Sequence, residues 1–144
     1  MSVSQVIEFI GNHYILCGIF IALLFLLAVT EVRRGGRSIN SAQLTSLINS
    51  EQAVIVDIRP SKDFGTGHIT DSHNIPFEKF ETRMTELNKY KADKVIIVVD
   101  AQGQHSGEVA RTLKKAGYQV AKLGAGISGW KNDGLPLVKK KVKA

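Results

Sequence analysis

The chain has 144 residues, a formal net charge of +6 and one cysteine, Cys17, which suits one ordinary domain with a short appendage and excludes an internal disulfide. Its few aromatic residues are not interleaved with the basic ones, so a nucleic-acid partner is not expected. A mean hydropathy of +0.00 conceals an apolar run near the N-terminus and a mixed, globular composition after Arg33.

Residues 1–12 read as a short N-terminal stretch. From His13 to Thr30 polar side chains stand only at the ends, apart from Cys17. A helix needs about 20 residues to cross a hydrocarbon core of about 30 Å, a length reached by including Phe9 and Ile10. A signal peptide would open with a cationic region and close on a small-x-small site. No Lys or Arg precedes the run, and Ala28-Val29-Thr30 is a poor cleavage site. A soluble core helix would keep a polar face, and 13–30 has none. The reading is a transmembrane helix. Arg33, Arg34 and Arg37 then place the remainder of the chain in the cytoplasm and residues 1–12 outside.

Residues 31–37, ending in Arg33-Arg34-Gly35-Gly36-Arg37, read as a flexible linker, and 38–138 as the soluble domain. Asn40 with Gln43 forms a capping box that opens a helix carrying Leu44, Leu47 and Ile48 on one face. Ala53 to Asp57 is a short apolar run that suits a buried strand. A glycine-rich loop from Phe64 to Gly67 leads to Ile69 and Asn74-Ile75-Pro76. The spaced apolar residues Phe80, Met84 and Leu87 predict a helix over 77–91.

Val95 to Val99 is β-branched throughout and predicts the central strand. Asp100 and a polar loop through His105 follow it, then a helix from Ser106 to Ala116 closed by Gly117. Tyr118 to Leu123 gives another strand, and a short helix-compatible stretch runs through Trp130. Strands alternating with helices imply parallel pairing with helices on both faces. Ligands of such sheets bind beyond the carboxyl ends of the strands, which directs attention to the loop after Val99. Lys139, Lys140, Lys141 and Lys143 make 139–144 a basic tail. It is either simply solvated or drawn to anionic headgroups, worth about 1 kcal/mol per cation near the surface.

Asp57-Ile58-Arg59, Asp63-Phe64, Gly67-His68-Ile69 and Asn74-Ile75-Pro76, in that order, resemble the first signature of the rhodanese family, with Asp63 where Glu is usual. Leu123 to Ile127, Trp130 and Gly134-Leu135-Pro136 resemble its closing signature. The likeness spans about Ile39 to Leu137 and implies a three-layer α/β/α domain with a mainly parallel sheet. With the transmembrane helix in front, the chain is similar to a membrane-tethered bacterial subgroup, which implies the inner membrane.

The family places a catalytic cysteine at the end of the central strand, before a loop whose N–H groups gather around a persulfide or an oxyanion. Here that stretch is Asp100-Ala101-Gln102-Gly103-Gln104-His105-Ser106. Gly103 and Ser106 match the family loop, Asp100 holds the nucleophile position, and His105 holds a commonly basic one. A carboxylate cannot carry sulfane sulfur, so no catalytic residue is assigned and Asp100 is expected to accept the loop N–H groups. His105 either contacts an anion or faces water. The resemblance makes Asp57 and Arg59 a pair supporting the loop's floor, and gives His68 and Asn74 packing roles; Trp130 reads as core. His13, His68, His73 and His105 lack zinc-ligand spacing, and Gly124, Gly126 and Gly129 lack the long helix and acid of a nucleotide site, so no metal or cofactor is expected. The expected function is a non-catalytic binding module whose partners are the lipid bilayer and another protein, itself a candidate membrane protein. The alternatives are sulfur transfer using a partner's thiol and sensing of a small anion.

Overall fold

The computed structural model describes residues 1–34 and 36–139. The chain divides into two compact units, Met1–Arg34 and Gly35–Ala144.

The first unit holds α1 (Val3–Asn12) and α2 (Tyr14–Arg34). Residues Tyr14–Glu31 of α2 have a mean hydropathy of 2.4, and none of this window is buried within the chain; it is long and apolar enough to cross a membrane. Two differences from the sequence reading appear here. Residues 1–12 are largely helical and separate from α2, because His13 leaves helical geometry at φ −126° and ψ 35°. Phe9 and Ile10 therefore belong to another helix, not to the apolar span. The helix also continues beyond Thr30 to Arg34, since no residue before Gly35 breaks it. The linker expected over 31–37 thus begins as helix and ends as strand.

The second unit runs β1 (Arg37–Ile39), α3 (Ser41–Asn49), β2 (Ala53–Asp57), α4 (Ser61–Thr66), β3 (His73–Asn74), α5 (Phe80–Arg83), β4 (Val95–Val99), α6 (Ser106–Lys115), β5 (Val120–Leu123) and α7 (Gly126–Asn132). The sheet has five strands in the order β1-β5-β4-β2-β3, and every pairing is parallel. The expected central strand is central. Side chains alternate across it: Ile96 and Val98 join one buried layer with Val54, Val56, Phe80, Leu87, Val109 and Leu113. Ile97 and Val99 join the other with Ile39, Leu44, Leu123, Ile127 and Trp130. Helices cover both faces, so the α/β/α expectation holds.

The capping box is present: Asn40 Oδ1 accepts from Gln43 N–H at 2.8 Å, and Gln43 Oε1 accepts from Asn40 N–H at 3.0 Å. Gly117, at φ +90°, follows α6 as the sequence predicted. Three local expectations change. The loop placed at Phe64–Gly67 is mostly α4, which Asp63 in its first turn favours through the helix dipole. The single helix expected over 77–91 is α5 flanked by 3₁₀ turns at Phe77–Lys79 and Met84–Tyr90. Phe77 and Phe80, and likewise Met84, Leu87 and Tyr90, recur every third residue and reach the same buried layer, a spacing the 3₁₀ turn serves better than an α-helix. The last strand is shorter than expected, Val120–Leu123, and Tyr118 is buried just before it. The basic tail lies outside the described residues from Lys140 onward.

A fragment beginning at Gly36 is expected to unfold in one cooperative urea transition, because the sheet and both buried layers lie within it. One beginning at Asn40 loses β1 and the buried Ile39, and its midpoint should be clearly lower. In the first fragment, Asn40→Ala should reduce stability by about 1 kcal/mol.

Candidate functional site

β4 delivers Asp100 to the carboxyl edge of the sheet, where the chain turns outward before entering α6. Asp100 is 4% exposed and Ser106 is fully buried. The Asp100 carboxylate turns back into its own loop. One oxygen accepts the N–H of Gly103; the other accepts those of His105 at 2.7 Å and Ser106 at 3.1 Å. Ser106 Oγ closes the turn by donating to Gly103 O at 3.4 Å. The donors that would gather around an anion at this edge are thus engaged by a carboxylate of the chain itself. The expected role of Asp100 is what the geometry shows.

The outer wall of the loop is tied by α7. Ile127 N–H donates to Asp100 O at 2.9 Å, and Ser128 N–H donates to Ala101 O at 3.0 Å. Two glycines make this approach feasible. Gly103 sits at φ +91°, and a Cβ there would lie 2.5 Å from Gly124 O; Gly126 sits at φ +60°, and a Cβ there would lie 2.5 Å from Asp100 O. Both positions need the left-handed backbone and the missing side chain together. Of the glycines after β5, considered in the sequence for a nucleotide and set aside, Gly126 serves this contact, whereas a Cβ at Gly124 would meet Ser38 Oγ and one at Gly129 the Ala125 side chain. Periodicity gave no sign of the contact, because it joins two irregular segments.

The loop assigned from the sequence is brought together as one surface. Ala101, Gln102, Gln104 and His105 are exposed, while Gly103 is half-buried. The His105 ring stacks on Phe77 with centroids 4.8 Å apart, a partner the sequence reading did not identify.

Asp57 and Arg59 form the buried pair the resemblance implied, at 1% and 7% exposure. Arg59 Nη2 donates to Asp57 Oδ2 at 2.8 Å and to Gly67 O at 2.7 Å, while its Nε contacts both carboxylate oxygens at 3.0 Å. Among the described residues, the side-chain hydrogen bonds of this pair stay on Asp57, Arg59 and Gly67. The pair therefore braces the connection after β2, and Asp57 stands in register with Val99, the residue before Asp100. Asn74 reinforces that connection by donating from Nδ2 to Asp57 O at 3.1 Å and Arg59 O at 2.9 Å. His68 has its packing role: its ring stacks on Phe64 at 3.8 Å, and its backbone pairs with Val138. Trp130 is buried and donates to Pro136 O at 2.9 Å. Its core assignment holds.

The Rhodanese-like domain family model matches residues 40–133. The chain is 41% identical over 143 residues to the Escherichia coli K12 protein YibN, covering 96% of this chain and 99% of that one. It is 31% identical over 93 residues to a sulfurtransferase of Allochromatium vinosum, covering 64% of this chain and 84% of that protein. The crystal structure of a rhodanese-related protein from Thermoplasma volcanium superposes with a TM-score of 0.66 at 29% identity, covering 72% of this chain and 99% of that one.

Asp100→Ala should lower stability by about 1.5–3 kcal/mol, since it leaves three loop donors without their charged acceptor. Sulfate should then raise the Tm of this variant by more than it raises that of the unaltered domain, whose cradle is filled. Arg59→Ala should cost more, about 3–5 kcal/mol, because Asp57 would remain buried and unpaired. Chemical denaturation of the variants and thermal melts with and without sulfate check all three statements.

Proposed function

The chain belongs to the rhodanese-like domain family, and from that membership we propose that it is a non-catalytic binding module, anchored by α2 in a bacterial inner membrane and facing the cytoplasm. The Asp100 carboxylate, seated on the N–H groups of Gly103, His105 and Ser106, carries this reading. Persulfide chemistry needs a thiolate at this point. The single cysteine of the chain, Cys17, belongs to the apolar helix and not to the domain. The three N–H groups that the carboxylate holds are not free for a substrate anion. Its backbone is held from both sides, and it offers Gln102, Gln104 and His105 outward. Exposed side chains on a rigid edge loop are suited to contact another protein.

The orientation rests on charge. No Lys or Arg precedes the apolar span, while Arg33, Arg34 and Arg37 follow it, and cations are retained on the cytoplasmic side. The expected partner is a protein that meets the domain at the cytoplasmic membrane surface, itself a candidate for an integral membrane protein.

Purified protein should show no turnover of thiosulfate above background. Clear activity in a sample free of other sulfurtransferases would overturn the reading. In cells, the chain should resist alkaline carbonate extraction, and protease should reach the domain only from the cytoplasmic side. Crosslinked capture from solubilised membranes should fail for the loop variant Gln102→Ala with His105→Ala, and persist for the anchor variant Gly18→Leu with Ala22→Leu. The opposite pattern would move the contact from the loop to the membrane helix, where Gly18 and Ala22 have a spacing that lets helices approach closely.

A further inference from the structure

The N-terminal helix is not used by any role assigned above. Its sequence Val3-Ser4-Gln5-Val6-Ile7-Glu8-Phe9-Ile10-Gly11-Asn12 has a pattern unlike that of α2. At about 100° of turn per residue, Ser4, Gln5, Glu8 and Asn12 fall within one sector, and Val3, Val6, Ile7, Phe9 and Ile10 fall within the opposite one. All five apolar side chains are exposed. The helix also has its own boundaries. Ser2 N–H donates to Gln5 Oε1 at 3.0 Å at its start, and His13 N–H donates to Phe9 O at 3.0 Å where it ends.

Two observations indicate what covers this face. First, only His13 separates α1 from a helix apolar on all sides, so any membrane that takes up α2 lies beside α1. Second, the side of α1 that meets α2 is itself apolar. Phe9 and Ile10 line a cleft of about 550 Å³ with Leu16, Phe20 and Leu23 of α2. For a helix lying in the plane of a bilayer above a spanning helix, that inner side is the one turned to the acyl chains. Charge gives the type of surface: α1 has no Lys or Arg, and Glu8 is its one charged side chain. Burial of apolar area, and not attraction to anionic headgroups, would hold it there.

We propose that α1 is an interfacial helix, lying in the outer leaflet's headgroup region with Val3, Val6, Ile7, Phe9 and Ile10 turned to lipid and Glu8 turned to water. The proposal rests on the reading of α2 as a membrane span, and the test separates the two.

Full-length protein carrying Cys17→Ser is reconstituted in phosphatidylcholine vesicles, with single cysteines introduced in turn from Val3→Cys to Asn12→Cys and a reference at Leu23→Cys. Each is labelled with a polarity-sensitive fluorophore. The expected emission is blue-shifted at 3, 6, 7, 9 and 10 and water-like at 5, 8 and 12, repeating about every 3.6 residues, with position 23 fully apolar. The pattern should persist when anionic lipid is added. Water-like emission throughout α1 with an apolar position 23 would overturn the proposal and leave the span intact. Uniform apolar emission through α1 would also overturn it, by making α1 part of the span. A periodic pattern that fades as protein is diluted into lipid would assign the face to a second copy and overturn it as well. Water-like emission at position 23 would defeat the span and this proposal together.

Discussion

The carboxylate of Asp100 decides what the edge of this sheet can do. A loop that points several N–H groups inward at the end of a strand needs negative charge at its centre, because buried donors without an acceptor are costly. Where the fold is used for sulfur chemistry, the charge comes from a thiolate and from what it carries. Here two side-chain oxygens divide three donors between them. The same residue that occupies these donors ties the loop beneath the exposed surface of Gln102, Gln104 and His105.

The loop is secured a second time from the side of α7, whose first N–H groups meet the carbonyls of Asp100 and Ala101. Carboxylate on the inside and helix terminus on the outside satisfy opposite polarities of the same peptide units. Gly103 and Gly126 let the two segments interlock without a side chain between them. The braced connection after β2 is built on another principle: Arg59 neutralises the buried Asp57 and reaches Gly67, while Asn74 spans two carbonyls. Neighbouring strand ends are thus stiffened by independent devices.

Much of this was legible in the sequence for identifiable reasons. Val95–Val99 carries β-branched residues on both faces of the sheet, so its central place could be read directly. Asn40 and Gln43 announce a helix start by chemistry local to four residues. Asp100 was readable because its neighbours Gly103 and Ser106 kept their places around it. The features missed have the opposite character. β1 and β3 are too short to show alternation, and they exist because a longer neighbour templates them. The break at His13 divides two helices that both consist largely of apolar residues, so composition alone merged the end of one into the other. The Asp57–Arg59 pair was recognised, but its reach toward Gly67 depends on where α4 ends, which spacing does not reveal.

The lengths of the strands have a consequence for assembly. The longest, β2 and β4, lie inside the sheet, and the two outermost have three and two residues. An exposed edge can recruit a foreign strand only if it offers a run of free peptide groups, and neither border provides more than a fragment of one. Among the described residues the sheet therefore offers little template for strand addition. A partner of the kind proposed would have to meet side chains on loops and helices, where recognition depends on shape and composition, and edge-to-edge polymerisation of the domain is disfavoured.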